Sequence, residues 1–263
     1  MREDLWNRNQ LILALNLYWK TPYNKISGST NQEIKKLAKV IGKTSAAIAY
    51  MLMNFTFLDK ERQDKGEKGK RGPGKLGIEI WFEYLNQWDK LADDSFEILN
   101  KIEPDLISDF FEIEPDYKYT EGIDKLRLVK TRVNQSDFRQ RVLASYNRKC
   151  CITGLDIPWL LKASHIVPWS ENVKERLNPQ NGLCLNSIHD TAFDRGLITI
   201  TTDFKVRLSD IILHKKKDLN VQKFFILYEN QSIVLPDRYI PSVEFLEYHH
   251  ENIFNKIKIN DKH

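Results

Sequence analysis

Lys162-Ala163-Ser164-His165-Ile166-Val167-Pro168-Trp169 opens the most informative segment of this 263-residue chain. Asn178-Pro179-Gln180-Asn181-Gly182-Leu183-Cys184-Leu185 follows, and Ile188-His189-Asp190-Thr191-Ala192-Phe193-Asp194-Arg195-Gly196-Leu197-Ile198 closes it. His165 and Asn181 are 16 residues apart, and Asn181 and His189 are 8 apart. All three fall within one strand–loop–helix reading, with short strands, a helix near 182–194 and a hairpin from Leu197 to Leu208. A lone histidine in a strand is usually structural. Two imidazoles and a carboxamide in this order, with Pro168-Trp169 and Gly182 between them, point instead to chemistry.

Away from that segment the pattern is helical. Residues 134–147 read as a short helix with Phe138, Val142 and Leu143 inward, and Glu244 to Phe254 as a closing helix. His214, beside the basic run Lys215–Lys217, and His249 and His250 read as surface or packing residues. Glu103 to Asp116 holds six acidic residues and no basic one, with Pro104 and Pro115, and reads as a linker. Residues 3–20 read as a buried helix, apolar on nearly all sides at Leu11, Ile12, Leu13, Leu15 and Leu17. Thr30 and Glu33 have capping-box spacing. Ile34, Leu37, Ala38 and Ile41 then mark one helix face, and Gly42 stops it. Thr44 or Ser45 can cap the next helix, which carries Ile48, Met51, Leu52 and Phe55. Residues 78–92 read as a helix with Trp81, Tyr84, Leu85 and Trp88 on a core face.

Two features of this helical part have two readings each. The pair of helices joined by Gly42-Lys43-Thr44 is either a plain hairpin or a DNA-docking helix-turn-helix whose second helix, near Ser45 to Tyr50, faces a groove. Residues 60–75 carry seven basic residues, three acidic residues and four glycines. That loop is either solvated surface or a phosphate-contacting surface through Lys65, Lys68, Lys70 and Arg71. The division expected is a helical domain at 1–100, an acidic linker at 101–130 and a second domain at 131–263, an α+β arrangement overall.

Composition narrows the class. Apolar residues make up 41% and charged residues 29%, a globular balance with a net charge of +4. No apolar run approaches the ~20 residues of a membrane helix, so no membrane partner is expected. Met-Arg-Glu-Asp-Leu-Trp at the N-terminus puts acids where a signal peptide is basic and then apolar, which favours a cytoplasmic protein. Cys150, Cys151 and Cys184 are odd in number and two are adjacent, which excludes a disulfide framework and a four-cysteine zinc site. No structural zinc is expected. Cys150 and Cys184 are expected to pack as small apolar residues.

The segment 150–200 resembles the HNH endonuclease family, in the branch with an SHI-x-PW … NGL-x-L … H-x4-D-x-G signature. The resemblance begins at Arg132 to Arg139 (Arg-Val-Asn-Gln-x-x-Phe-Arg) and runs to Leu235-Pro236 and Tyr248-His249. The first 100 residues resemble a helical region fused to such nucleases in restriction enzymes. The resemblance implies a C-terminal ββα-metal nuclease with His165, Asn181 and His189 as the catalytic set. His165 is the general base, since a neutral imidazole accepts a proton near pH 7. Asn181 orients the His165 loop. His189 binds one divalent cation, Mg²⁺ in cells, with Mn²⁺, Co²⁺ or Ni²⁺ also accepted. Many relatives place an aspartate or histidine just before the base as a second metal ligand; here that position is Ser164, and Asp194 is the candidate second ligand, with a hydrogen bond in its own turn as the alternative.

The activity so implied is metal-dependent hydrolysis of double-stranded DNA in restriction or anti-phage defence, sequence-directed or modification-directed. A homodimer is expected, because one such site cuts one strand. Arg132 and Arg139 are candidate phosphate contacts. The alternative is an HNH fold that binds DNA without cleaving it. A further alternative substrate is RNA or single-stranded DNA.

Overall fold

A computed structural model describes residues 5–104, 107–111 and 123–256 of the chain. Half of the acidic run Glu103–Asp116, and with it part of the expected 101–130 linker, lies outside the described residues. The fold is mixed α+β, with helices in the N-terminal part and two antiparallel two-stranded sheets in the C-terminal part. It divides into two compact units, residues 1–144 and 145–263. No described helix is long and apolar enough to cross a membrane.

The first unit is organised around α1 (Arg8–Trp19), which packs on α2 (Gln32–Ile41), α3 (Ser45–Thr56), α5 (Gly74–Tyr84) and α6 (Trp88–Ile102). Leu11, Ile12, Leu13, Ala14 and Leu15 are consecutive and all buried, as the all-round apolar sequence requires. Rings close the interior. Trp19 lies 4.8 Å from Trp81 and 5.7 Å from Trp88 by centroid, and Tyr18 lies 6.0 Å from Phe55. The Tyr18 hydroxyl donates to the buried Asp59 carboxylate at 2.6 Å. Asp59 also caps α4 (Lys60–Asp64) by accepting from the Arg62 amide.

Three local readings shift. The α2 cap is Asn31, whose side chain accepts from the Ile34 amide, not Thr30. A carboxamide one residue closer to the apolar run takes the role. The aromatic span at 78–92 is two helices, because the chain breaks at Leu85–Gln87 with Asn86 at φ 59°. Trp81, Tyr84 and Trp88 remain in the core, while Leu85 is largely exposed. Thr44, Gly42 and the buried faces of α2 and α3 stand as the periodicity indicates.

After the short α7 (Ile107–Phe110), α8 (Ile123–Ser145) carries Val133, Phe138, Val142 and Leu143 inward. Residues of α8 as far as Ala144 fall in the first unit. A buried charge cluster ties them there. Asp137, fully buried, pairs with Lys20, the C-cap of α1, and with Arg141, whose guanidinium also donates to Asn16. A buried carboxylate is tolerated when cations compensate it, and separating the partners strands a charge, at roughly 3–5 kcal/mol.

The second unit holds a ββα arrangement. β1 (Leu161–His165) pairs antiparallel with β2 (Gly182–Asn186), in a register that sets Ala163 opposite Cys184 and His165 opposite Gly182. α9 (Ser187–Asp194) follows β2 without a linker residue and packs on both strands. The sequence reading makes 182–194 one helix. The first five residues are instead a strand buried on both faces, a pattern that a short apolar run shares with a buried helix. Beyond it, β3 (Ile198–Ile200) and β4 (Val206–Leu208) form the expected hairpin. α10 (Asp210–His214), α11 (Leu219–Phe224) and α12 (Val243–His249) follow, and the chain leaves α12 through a π-helical turn, His250–Phe254.

Gly196 closes α9 at φ 69°, a left-handed conformation. A Cβ there would also meet the Ile253 carbonyl oxygen at 2.7 Å. Glycine is required on both counts. His249, 1% exposed, stacks on Phe193 at 3.6 Å. Its Nδ1 accepts from the Thr199 hydroxyl, and its Nε2–H donates to the Phe193 carbonyl at 3.1 Å.

Candidate active site

His165 ends β1, where the strand gives way to the loop at 166–178. Its ring is half-buried against Trp169, edge-on at 5.5 Å between centroids. Its Nε2 lies 2.9 Å from the Arg176 carbonyl oxygen. A carbonyl only accepts, so Nε2 carries the proton and Nδ1 holds the lone pair of the neutral ring. Burial pushes the imidazole below its ordinary value, with the Arg176 carbonyl pulling the other way. The balance keeps the ring neutral at neutral pH, the form a general base needs.

Asn181, wholly buried, clamps that loop from below β2. Its side-chain oxygen accepts from the Val167 amide at 2.7 Å, and its Nδ2 donates to the Val167 carbonyl at 3.1 Å. The Asn181 main-chain carbonyl accepts from the Ile166 amide at 3.0 Å. One carboxamide thus satisfies both polar groups of Val167, two residues past His165. No apolar residue of the same size can do so. The structure therefore brings Asn181 and the His165 loop together.

His189 is 2% exposed, on the inner face of α9. The Asn186 side-chain oxygen caps α9 by accepting from the Ile188 and His189 amides. Its amide nitrogen therefore faces His189 Nδ1, 2.8 Å away, and donates to it. His189 Nε2–H donates to the Phe224 carbonyl at 2.8 Å, and Phe225 and Tyr228 lie edge-on to the ring. Both ring nitrogens are thereby engaged. The metal-ligand role expected of His189 does not fit this arrangement, since its one ring lone pair, on Nδ1, accepts from Asn186 Nδ2.

Cys150 joins the same polar knot. Its sulfur lies 3.7 Å from Asn186 Nδ2, and Asn186 Nδ2 also reaches the Thr153 hydroxyl at 3.3 Å. Burial pushes the Cys150 thiol up, but hydrogen bonds with His189 and Thr153 outweigh it and bring the thiol down to about 7. Cys150, Cys151 and Cys184 are buried free thiols. The Cys151 amide donates to the Cys184 carbonyl at 2.8 Å, so Cys151 is tied to Cys184 through the main chain while Cys150 turns to the polar knot.

A second face of α9, beside β1, presents a different chemistry. Asp190 and Asp194 are spaced i,i+4, which puts them on one helix face. The Ser164 hydroxyl, next to the base in β1, donates to Asp194 Oδ1 at 3.4 Å. Burial and then the Asp190 charge raise the Asp194 carboxyl, and the Ser164 bond pulls it back. Two carboxylates and a hydroxyl are hard oxygen donors, the set a Mg²⁺-like cation takes, with water and phosphate oxygens completing its shell. Among the described residues no group of three or more His, Cys, Asp or Glu side chains is arranged to hold a metal ion. Asp190 escapes the sequence reading, which measures Asp194 from His189 at i,i+5. Asn186 escapes it too, although an asparagine just before Ser187-x-x-Asp190 is a helix-start signal.

The remaining candidates lie in the first unit. Lys65, Lys68, Lys70 and Arg71 are exposed. Their loop is anchored: the Lys70 amide donates to the Met53 carbonyl at 3.3 Å, and a Cβ at Gly69 would overlap the Phe57 backbone. Arg62, by contrast, is buried and pairs with Glu67 at 3.0 Å. Arg132 and Arg139 are half-buried on α8. Ahead of the α2–α3 pair, Gly28 presses on the first turn of α3, where a Cβ would lie 2.7 Å from the Ser45 carbonyl oxygen. Ala46 and Tyr50 on α3 stay exposed.

Residues 150–201 match the family model HNH_2, HNH endonuclease. Among curated proteins no match was found. The matched span contains β1, the clamped loop, β2, α9 and β3, so the likeness to HNH endonucleases is a likeness of the ββα arrangement at residues 150–201.

Proposed function

We propose that the protein is a metal-dependent endonuclease acting on double-stranded DNA, with His165 as its general base. The observation that carries this reading is the orientation of His165. The Arg176 carbonyl fixes its tautomer, so that Nδ1 is the basic nitrogen of the ring, and Asn181 fixes its loop at the strand end. His165 Nδ1 takes a proton from water, the resulting hydroxide attacks phosphorus, and the P–O3′ bond breaks. Asp190 and Asp194, beside Ser164, would hold the divalent cation, which neutralises charge on the phosphate and the leaving oxygen. His189 then acts as a core residue that fixes α9.

The first unit is proposed to engage DNA, through the exposed start of α3 and through Lys65, Lys68, Lys70 and Arg71. Arg132 and Arg139 add positive charge on α8. Resemblance to restriction enzymes supports a role in restriction or anti-phage defence. Two copies acting together supply the two sites that a double-strand break needs.

Plasmid nicking with Mg²⁺ or Mn²⁺ tests the reading. His165→Ala is expected to lose at least ~10²-fold in rate, the scale of removing a general base. Equal rates in the two proteins refute it. A second reading, an HNH fold that binds DNA without cutting, is favoured by Ser164 standing where an aspartate or histidine is common and by the closed His189. Wild-type protein inert with both metals, yet binding duplex, would establish that reading.

A further inference from the structure

The loop after β1 carries a cation that the catalytic set above does not use. Arg176 supplies the carbonyl that accepts from His165 Nε2 at 2.9 Å. Its guanidinium lies over the face of Trp169, with Cζ 5.0 Å from the ring centroid. Trp169 in turn meets the His165 ring edge-on at 5.5 Å. Base, indole and cation thus form one closed cluster, in which the main chain of Arg176 orients the base and its side chain is held by the base's aromatic neighbour.

A free arginine side chain samples many rotamers and loses that freedom on binding. Stacking on an indole removes part of that freedom in advance and leaves the edge donors outward. The adjacent carboxylate, Glu175, is turned to the Asn178 side-chain amide at 2.7 Å. Among the described residues no ion pair joins Arg176 to a carboxylate. Arg176 is half-buried, and its planar fork of donors matches two phosphate oxygens.

We infer that Arg176 is a phosphate-binding residue of the nuclease site, its guanidinium held on Trp169 to take a phosphodiester of the strand that His165 attacks. The inference rests on the nuclease reading for its ligand. A cation fixed before the reaction stabilises the charge that builds on phosphoryl oxygens without reorganising during the step. All side-chain variants at 176 keep the carbonyl that orients His165, so the side chain is tested separately from the base.

The test pairs binding with cleavage. Fluorescence anisotropy with a short labelled duplex, in EDTA, reads affinity and its salt dependence for wild type, R176A, R176M, R176K and H165A. Single-turnover nicking with Mn²⁺ reads rate. R176A and R176M are expected to lower the salt slope by about 0.9, the signature of one phosphate left without its cation. Both are also expected to slow nicking by about 10²-fold, the scale of removing one donor from a charged transition state. R176K keeps the charge and the salt slope but loses the fork, and is expected to nick about 10-fold slower. H165A binds like wild type and fails to nick. R176M keeps an aliphatic cover on Trp169, so wild-type slope and rate in R176M would mean that Arg176 only packs, and would overturn the inference. So would an unchanged slope in R176A, or a wild type that binds no duplex. Should wild type bind without cutting, the nuclease reading falls and the salt slope alone decides the fate of Arg176.

Discussion

Trp19, Trp81, Trp88, Tyr18 and Phe55 fill the interior of the first unit with rings, while the second unit is tied at its critical points by Asn181, Asn186, Cys150 and His249. The first interior gains from apolar area and tolerates small shifts of its rings. The second depends on polar groups that leave an unsatisfied partner when any member is removed. Aromatic packing therefore holds α1, α3, α5 and α6 together in the first unit, where the Asp137 charge cluster ties only α8, and directional bonds hold a base and a helix in place in the other. Precision at a reacting atom calls for the second kind of interior.

The sharpest way to break this contrast is Trp81→Ala. Removing an indole that packs on Trp19, Tyr18 and Phe55 is expected to destabilise the first unit by about 3–5 kcal/mol, read by urea denaturation. A change below ~1 kcal/mol would mean the ring cluster is not what closes that interior.

Next in size is a pH effect in the second unit. Burial, with the His250 charge adding to it and the Phe193 carbonyl opposing, lowers His249 to about 4. The unfolded chain holds an ordinary histidine near 6.5, so between about 6.5 and 4 the unfolded state binds the proton and the folded state does not. Stability is complete above that window and is lost as pH falls through it, by up to about 3 kcal/mol. His249→Phe should flatten that part of the pH–stability curve, and an unaltered curve would contradict the assignment.

Asn186→Ala removes the α9 cap and leaves His189 Nδ1 without its donor, for an expected destabilisation of about 2 kcal/mol in chemical denaturation. Asn186→Asp keeps the cap oxygen but not the donor, and should fall between Ala and wild type. An Asp variant as destabilised as Ala would locate the whole effect in the His189 hydrogen bond. The smallest change in stability is expected where the first unit meets solvent. Neutralising Lys68, Lys70 and Arg71 together should leave unfolding within about 0.5 kcal/mol of wild type. It should weaken duplex binding uniformly across sequences and reduce the salt slope by about 0.9 for each phosphate no longer neutralised. An unchanged slope would make the loop plain solvated surface.

The helical unit was legible because its signals are periodic: Ile34, Leu37, Ala38 and Ile41, then Ile48, Met51, Leu52 and Phe55, are buried as their spacing indicates. Its misreadings fell at single residues, Asn31 for Thr30 and the break at Asn86, where one side chain or one positive φ decides. In the second unit the order of strand, loop and helix was legible, and so was the bond between Asn181 and the His165 loop. The start of α9 was not, because Leu183, Cys184 and Leu185 are buried on both faces and lack the alternation that marks a strand. The inward turn of His189 was not legible either. It depends on Phe224, Phe225 and Tyr228, whose approach no local spacing encodes.

Asn186 is at once the last residue of β2 and the cap of α9, so sheet and helix share one residue as a hinge-less joint. Lengthening the chain there by a single amino acid would rotate the helix by about 100° and swing Asp190 and Asp194 away from Ser164. The exposed stretch around Val173 and Lys174 joins no strand to a helix, and the bond across it, from the Glu175 amide to the Asn172 side chain, lies within the loop. Natural or engineered variation in chain length within this domain should therefore accumulate around 173–174 and be absent at 186–187.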